Sequence, residues 1–331
     1  MHESALVIGK AVVSVYGGPG ISTVPMPQSH YVKFRYTKGL CNNLFKLFTA
    51  CRIAEVEGKQ LIEPIFKWNR RPAVKFSDIY DLDYFNSRMQ INGKPMIVRE
   101  ASVDQQLIDD RSLTYDLWKG DPLLYNHSRQ RKENRIPGGC PSVRVLMALR
   151  INPCHQPTID AQPHINAVHV RWEPEWVGHS KKLQPGVPSG ETILVAPSRI
   201  AAMCSEQLER SVFFTTGVGH DQVVAEFASE GVTARYSFDE TLPYEVNAAI
   251  NFEICTKAPV FVGNSRSTFS NLITLRRHLT DAGPSLIYNY QNRLLQRYDA
   301  GLHFVGSEVV SKKVTVEDMP LSRGGHAFPG A

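Results

Sequence analysis

The spacing of apolar and polar residues predicts an alternation of strands and helices in the first part of this chain. Residues 31–36, YVKFRY, alternate and predict a strand. After a short glycine-containing loop, apolar side chains recur at helical spacing over 44–57, and Gly58 is a natural helix end. The run 60–66, QLIEPIF, predicts a strand that is broken by Pro64. This order of strand, loop, helix and strand is that of a βαβ unit.

The second half of the chain repeats the same order. The segments that predict strands are 165–170, 211–216, 232–238 and 259–264, and those that predict helices are 198–209, 221–231, 244–258 and 269–279. Asp221 is the expected cap of the second of these helices. Strands and helices at such regular intervals indicate a doubly wound parallel sheet.

The region between these halves predicts a domain boundary. The stretch 67–140 is charged and turn-rich, and we expect it to decorate the first half with helical segments. A helix is expected over 141–151, and the proline-containing stretch 152–164 is the candidate linker. The fold class is therefore α/β, with two Rossmann-like doubly wound domains facing a central cleft. The expected boundaries are 1–155 for the N-terminal domain, 156–310 for the C-terminal domain and 311–331 for a polar tail.

Composition narrows the class of protein. The chain has 331 residues, of which 42% are apolar and 21% are charged, which is typical of a globular protein. A net charge of +5 is too small for a dedicated nucleic-acid binder, although it permits a basic pocket for phosphate. No apolar run reaches the roughly 18 residues that span a bilayer, so we expect no membrane span. The stretch 1–16 predicts a strand or a trimmed end rather than an intact signal peptide.

The six cysteines argue against a zinc ribbon, because none of them forms a CxxC motif. One or two disulfides and free buried thiols are both compatible with their spacing. The glycine-rich and catalytic motifs GxxxxGK[ST], HExxH and GxSxG are also absent from the sequence.

One loop whose residues could bind a ligand follows the predicted strand 165–170 and contains Arg171. An arginine is always charged, and its planar guanidinium matches paired oxygens such as those of a diphosphate. Ligands of doubly wound sheets bind at the carboxyl ends of strands, which is where this residue lies. A surface ion pair with Glu173 is an equally good interpretation of the spacing.

Two further loops precede predicted helices. The stretch 263–270, GNSRSTFS, follows a strand, and free amides at a helix N-terminus bind phosphate. An ordinary helix cap is the alternative, because Ser and Thr favour that position. The loop 39–43, GLCNN, follows the first strand; Gly39 permits a tight backbone, and the asparagine amides offer donors and acceptors. A structural turn is the alternative there.

Together these loops resemble peptides of the GDP-fucose protein O-fucosyltransferase family. The loop 39–43, with its helix and the LIEP strand, resembles the family's opening GLGNQ-type loop, with Cys41 and Asn43 replacing glycine and glutamine. The stretch 261–270, FVGNSRSTFS, resembles the family's FIGN…SxFS peptide, its most distinctive part.

The Arg171 loop carries the third part of the resemblance. His169 and Arg171, with Glu175 and Trp176 after them, resemble the family's HxR…DW peptide, with glutamate in place of aspartate. The resemblance implies a GT-B arrangement and an inverting, metal-independent glycosyltransferase that moves a sugar from a GDP-sugar to a glycan or protein hydroxyl. It places the acceptor on the N-terminal domain and the donor on the C-terminal domain. It also implies Arg171 as the catalytic residue, because the arginine of HxR binds the β-phosphate.

The resemblance assigns a set of residues to the donor. They are Gly39, Asn42, Asn43, His169, Arg171, Glu175, Asn251, Ser267, Thr268 and Phe269. No metal and no other cofactor is implied. Asp81 and Asp83 form a DxD motif, which metal-dependent glycosyltransferases use, but chance is the better explanation of so short a motif. The implied compartment is open, since eukaryotic relatives work in the secretory lumen and bacterial ones in the cytoplasm.

Two departures from the family pattern leave alternatives open. The acidic residue that recognises guanine in the family corresponds to Asn251, with Glu253 nearby, so another nucleotide sugar is a serious alternative donor. The place of Gly39 carries no side chain that could act as a general base, and Glu63, Asp78 and Glu173 are only candidates. A non-catalytic protein that binds a sugar nucleotide or a glycan therefore remains a third interpretation.

Overall fold

Two parallel β-sheets with helices on their faces organise the part of the chain that the structure describes. The structure is a computed structural model and describes residues 29–67, 71–111, 141–184, 190–297 and 316–317. The predicted α/β class with parallel sheets is confirmed. The expectation for residues 1–16 lies outside the described residues.

The first sheet has the order β7-β2-β1-β8, and all its strands are parallel. The elements of this region, in chain order, are β1 (Tyr31–Phe34), α1 (Leu40–Glu57), β2 (Gln60–Ile62), β3 (Ile65–Phe66), β4 (Val74–Lys75), α2 (Phe76–Ile79), α3 (Leu82–Arg88), β5 (Gln90–Ile91), β6 (Lys94–Pro95), β7 (Ile97–Val98) and β8 (Ile108–Arg111). The helical segments predicted within 67–140 are present as α2 and α3, but the prediction of decoration was wrong for β7 and β8, which belong to the sheet itself. Their short, partly charged sequences carry no clear alternation, and pairing with β2 and β1 fixes them as strands. Residues 112–140 lie outside the described residues.

Helix α1 begins four residues earlier than predicted. Its N-cap is Gly39, so residues 40–43 form the first turn rather than a loop. Asn43 has a low intrinsic helix propensity, but it is fully buried and bonded to the backbone of Lys38, so tertiary contacts decide its conformation. The predicted end at Gly58 is confirmed, and this residue has a φ of +65°.

The connection between the two sheets is helical. It contains α4 (Pro141–Ala148), a 3₁₀ turn at Pro153–His155 and α5 (Gln156–Asp160). The candidate linker 152–164 is partly helical and packed: Ile159 is buried, and Asn152 Nδ2 donates to Ser77 O at 2.7 Å. Polar and proline-rich composition therefore did not prevent this stretch from packing. The domain boundaries themselves stay a prediction.

The second sheet has the order β11-β10-β9-β12-β13-β14-β15, and its first five strands are parallel. Its elements are β9 (Asn166–His169), α6 (Pro174–Leu183), α7 (Pro197–Gln207), β10 (Ser211–Thr215), α8 (His220–Ser229), β11 (Thr233–Arg235), α9 (Tyr244–Lys257), β12 (Phe261–Gly263), α10 (Thr268–Leu279), β13 (Ser285–Tyr290), β14 (Arg293–Arg297) and β15 (Val316–Glu317). In sequence order the parallel strands run 3-2-1-4-5, which is the doubly wound topology with its switch point between β9 and β12.

Most predicted elements of the second half are confirmed, with two differences. Helix α8 begins at His220 after Gly219, whose φ is +70°, so Asp221 is not its cap. Asp221 instead accepts a hydrogen bond from Tyr236 Oη at 3.2 Å. Strand β15 lies in the predicted tail and pairs with β14; the rest of 311–331 lies outside the described residues.

Two apolar clusters stabilise the structure. One lies under α7 and α8 on one face of the second sheet and includes Val168, Phe214 and Phe227. The other is continuous from the first sheet to the opposite face of the second, from Phe48 of α1 to Ile250 of α9. Of the six cysteines, the five that the structure describes are free thiols, and Cys154 alone among those five is exposed. In the described ranges, no helix combines the length and apolar character that crossing a bilayer would require.

Candidate functional site

The two phosphate-binding loops predicted from the sequence meet at the switch point of the second sheet. Arg171 follows β9, and residues 264–267, here called the β12–α10 loop, follow the adjacent strand β12. The two strand ends are joined by a hydrogen bond of 2.8 Å between His169 Nδ1 and Ser270 Oγ. The His169 ring also packs on Phe269, with the centroids 4.6 Å apart. The crevice at such a point is where open α/β sheets bind their ligands.

Arg171 is held at the edge of this crevice by several contacts. Its backbone N–H donates to Tyr288 Oη at 3.2 Å, and its guanidinium lies 4.6 Å from the ring centroid of Trp176. The ion pair with Glu173 that the sequence also allowed is present, at 3.4 Å. The Arg171 side chain is nevertheless 27% exposed, so the cation is accessible from the crevice.

Glu173 joins Arg171 to the end of β10. Its Oε1 accepts a hydrogen bond from Gly217 N at 3.0 Å, and a Cβ on Gly217 would lie only 2.7 Å from this oxygen. Glu173 is buried, and its Oε1 accepts from both Arg171 and Gly217, whereas its Oε2 has no hydrogen-bond partner. Its role as a general base stays a prediction. Glu175, by contrast, is exposed in the first turn of α6, and its contact with a donor stays a prediction.

The N-terminus of α10 is open toward the crevice. The first hydrogen bond along this helix runs from Asn271 N to Ser267 O, so the amides of residues 268–270 have no partner within the helix. Ser267 occupies the N-cap, but its hydroxyl makes no capping hydrogen bond. The alternative of an ordinary side-chain cap therefore does not describe this residue. Free amides and the positive end of the helix dipole together form an anion-binding geometry.

Buried side chains that the sequence did not single out fix the β12–α10 loop. The carboxylate of Glu191 is fully buried and accepts two hydrogen bonds of 2.7 Å from Arg266. It also accepts from Ser265 Oγ at 3.0 Å and from Tyr290 Oη at 3.1 Å. Asn289 Oδ1 accepts from Ser265 N at 3.0 Å. The charge of Arg266 is thus neutralised away from the crevice, and Arg171 is the cation that faces it among these residues.

Gly263 permits the close approach of β12 to α10, and its replacement gives a testable prediction. A Cβ at this position would lie 2.6 Å from Ser270 Oγ, which no real Cβ contact tolerates. We expect Gly263→Ala to lower the free energy of unfolding by about 1–3 kcal/mol and to weaken anion binding, measured by urea denaturation and by phosphate titration. Gly178→Ala is the matched control, because a Cβ there meets nothing within 4 Å. Equal stabilities of the two variants would contradict this interpretation.

The opening loop of α1 contributes to the same region. Cys41, in the first turn of α1, is buried in the same apolar cluster as Leu272 of α10. Burial raises the pKa of its thiol, and the positive charge of Arg171 partly offsets this effect. Gly39 has a φ of −61°, which any residue adopts, so the turn itself does not require a glycine. The contact of Gly39 with a donor stays a prediction. Both polar side-chain atoms of Asn43 bind Lys38, which makes Asn43 a residue that stabilises the turn. Asn42 is half-buried, and its donor contact stays a prediction.

His169 and Asn251 are both buried, with different consequences. Burial, and secondarily the Arg171 cation, lower the pKa of His169 well below its usual value, so its imidazole is neutral and orients Ser270. Asn251 donates to Ser237 O at 3.1 Å, while its Oδ1 is buried without a partner. Nearby Glu253 binds Arg276 and is not free for a ligand.

The remaining candidates have structural explanations. Asp81 of the DxD motif caps α3 by accepting from Tyr84 N at 2.8 Å, and it pairs with Arg150. Glu63 accepts from Ser77 N at 2.9 Å, and Asp78 accepts from Lys75 N at 2.9 Å. In the described ranges, no three His, Cys, Asp or Glu side chains group as metal ligands.

Comparison with known proteins gives similarities in sequence and in fold. No family model matches the chain. O-fucosyltransferase 23 of Arabidopsis thaliana is 33% identical over 134 residues, which cover 34% of this chain and 29% of that protein. The match thus spans less than a third of that relative's length.

Solved structures of POFUT1 show the same fold. The GDP-fucose complex has a TM-score of 0.54 at 15% identity, and the match covers 78% of this chain and 98% of that one. The GDP complex has a TM-score of 0.52 at 14% identity and the same coverage. The chain therefore has the α/β fold of the POFUT1 structures. The sequence match to O-fucosyltransferase 23 agrees with the resemblance to the GDP-fucose protein O-fucosyltransferase family that the three loops indicated.

Proposed function

We propose that this protein is a glycosyltransferase that transfers fucose from GDP-fucose to a hydroxyl group of a glycan or a protein. The observation that carries the proposal is that Arg171 and the N-terminus of α10 follow two adjacent parallel strands, β9 and β12, at the switch point of the second sheet. The fold is that of POFUT1, which has been crystallised with GDP-fucose, and a cation opposite free amides suits the diphosphate of such a donor. As part of this proposal, the two sheets form a GT-B pair facing a central cleft.

The proposed reaction depends on stabilising the leaving group. The bond between the anomeric carbon and the β-phosphate oxygen breaks, and its electron pair remains on the phosphate. The acceptor oxygen forms its bond to the opposite face of that carbon, which inverts the configuration, and its proton is released. Negative charge grows on the β-phosphate, where the Arg171 guanidinium and the amides of residues 268–270 are already oriented. The proposal requires no metal.

A nucleotide screen tests the donor. We expect GDP to raise the melting temperature of the protein and UDP to leave it unchanged, because ligands that bind only the folded state stabilise it. Differential scanning fluorimetry at equal nucleotide concentrations measures this directly. Hydrolysis of GDP-fucose, followed by GDP release, then separates an enzyme from a protein that only binds the nucleotide. A shift with UDP and none with GDP would exclude the proposed donor.

A second donor class is favoured by one specific observation. Asn251 stands where the family has an acid, and its unpartnered Oδ1 is a single acceptor instead of a carboxylate. An amide acceptor can pair with the N–H of several bases, so the base is less strictly specified. Transfer from another nucleotide sugar is therefore the alternative function, and the same screen distinguishes it.

A further inference from the structure

Exposed apolar side chains are concentrated at the carboxyl edge of the second sheet. In the described part of the chain six large apolar side chains are exposed, and three of them, Val218, Tyr236 and Phe238, follow β10 or β11. Between 38% and 43% of each of these three residues is accessible. Contiguous apolar surface of this kind marks binding sites more often than scattered exposed residues do.

The aromatic residues of this edge form a column of rings that starts in the core. Phe214 of β10 is fully buried, and the Tyr236 centroid lies 5.4 Å from it. His220 stacks on Tyr236 at 4.6 Å, and Phe238 stacks on His220 at 4.9 Å. Tyr236 Oη donates a hydrogen bond to Asp221, which holds the Tyr236 ring in its position within the column. Phe238 is therefore the outer end of a preorganised stack, and 41% of it is exposed.

The position of this column relative to Arg171 follows from the strand order. Arg171 follows β9, and the column follows β10 and β11, which are the next two strands on the same side of the switch point. Neighbouring strands lie about 4.8 Å apart, so Arg171 and the end of β11 are separated by about 10 Å along the edge of the sheet. A nucleoside diphosphate bridges such a separation between its outer phosphate and its base.

Two unpartnered polar atoms lie along this path. Asn251 binds the backbone of Ser237, between Tyr236 and Phe238 in sequence, and its Oδ1 is buried without a partner. The indole N–H of Trp172 is also buried without a partner, and the Trp172 ring lies beside Gly219. Buried polar atoms are almost always paired in native proteins, so a ligand with donors and acceptors at its rim accounts for both.

We propose that the outer face of Phe238 is the stacking surface for the base of the nucleoside diphosphate whose phosphates bind between Arg171 and α10. The proposal rests on the proposed function for the presence of a nucleotide, but it concerns residues outside the three family-like loops. Stacking on a ring accepts any base, since every base has a π-face, whereas the edge contacts select among bases. His220 stacks directly on the Phe238 ring, and Tyr236 stacks on His220.

Calorimetric titration with GDP and with pyrophosphate tests this assignment. Pyrophosphate carries the anion without the base, so Phe238→Ala is expected to weaken GDP binding about tenfold or more and to leave pyrophosphate binding unchanged. Phe238→Trp is expected to keep the GDP affinity, because it restores an aromatic face. Val56→Ala is the matched control, since Val56 is 78% exposed on α1, away from this edge.

Each other outcome has a defined meaning. Unchanged GDP affinity in Phe238→Ala would overturn the stacking surface, and so would an equal loss of GDP and pyrophosphate binding. If Phe238→Ala lost self-association but kept its GDP affinity, the apolar surface around Phe238 would be a contact with a second copy of the chain, and the proposal would be overturned. If the wild type bound UDP as tightly as GDP, with the same dependence on Phe238, the stacking surface would stand and the guanine part of the proposed function would fail. A wild type that binds no nucleoside diphosphate would overturn both.

Discussion

Replacement of Arg171 by alanine is expected to lower the rate of fucosyl transfer by about 10²–10³-fold, because a preoriented donor to the leaving group is lost. The guanidinium is 27% exposed after β9, and α10 follows the adjacent strand β12, whereas the side chain of Arg266 in the β12–α10 loop is only 3% exposed. Arg266 cannot substitute for it, since its charge is neutralised by Glu191.

The measurement is a radiolabelled or coupled assay of GDP-fucose turnover, with urea denaturation on the same preparation to show that the fold persists. Arg88→Ala is the matched control, because Arg88 is exposed at the end of α3. Arg171→Lys is expected to recover only part of the activity, since a single ammonium does not reproduce a planar fork of donors. Wild-type turnover by the alanine variant would exclude Arg171 from the reaction.

Replacement of Arg277 by methionine is expected to give the largest loss of stability. This arginine of α10 is fully buried and donates to the carbonyl oxygens of six residues, namely Cys255, Thr256, Ala258, Pro259, Ala282 and Pro284. Burial lowers its pKa to about 10, so it is still charged at neutral pH. Without it, these carbonyls lose their donor in the interior, at a cost of about 1–3 kcal/mol for each one that stays unpaired.

We therefore expect the free energy of unfolding to fall by about 3 kcal/mol or more in Arg277→Met. Urea denaturation measures this free energy. The stability of Arg277→Lys should lie between those of Arg277→Met and the wild type, because lysine keeps the charge with fewer donors. Lys257→Met is the matched control: Lys257 is exposed at the last turn of α9, and a surface change of this kind typically stays within about 0.5 kcal/mol. If Arg277→Met and Lys257→Met had the same midpoint of urea denaturation, the six carbonyl groups would have found other hydrogen-bond donors.

The parts of the site that could be predicted from sequence are those that local patterns encode. The apolar run of β12, followed by Gly263 and a group of hydroxyl residues, marks both the strand end and the start of α10. The same holds for β9 and Arg171. The order of the two loops in a doubly wound sheet then predicts that they meet at one edge.

The parts that could not be predicted depend on contacts between residues far apart in the chain. Glu191 lies in a polar loop, and nothing local indicates that it becomes a fully buried hub for Arg266 and Asn289. Strands β13 and β14 were not predicted, although the apolar runs 286–288 and 294–295 flank a turn at Gln291 and Asn292, whose positive φ values are typical of a hairpin. That hairpin supplies Asn289 to the site.

The apolar cluster that continues from α1 to α9 has a consequence for how substrates enter. A single buried apolar cluster contains Phe48 and Leu146 from the region of the first sheet and Ile250 and Phe252 from α9. Swinging the two sheets apart about a hinge would wet this interior, at about 25 cal/mol for every Å² of apolar area exposed. We therefore expect a ligand to enter and leave the proposed site by local rearrangement of its rim, while the two sheets keep their mutual orientation.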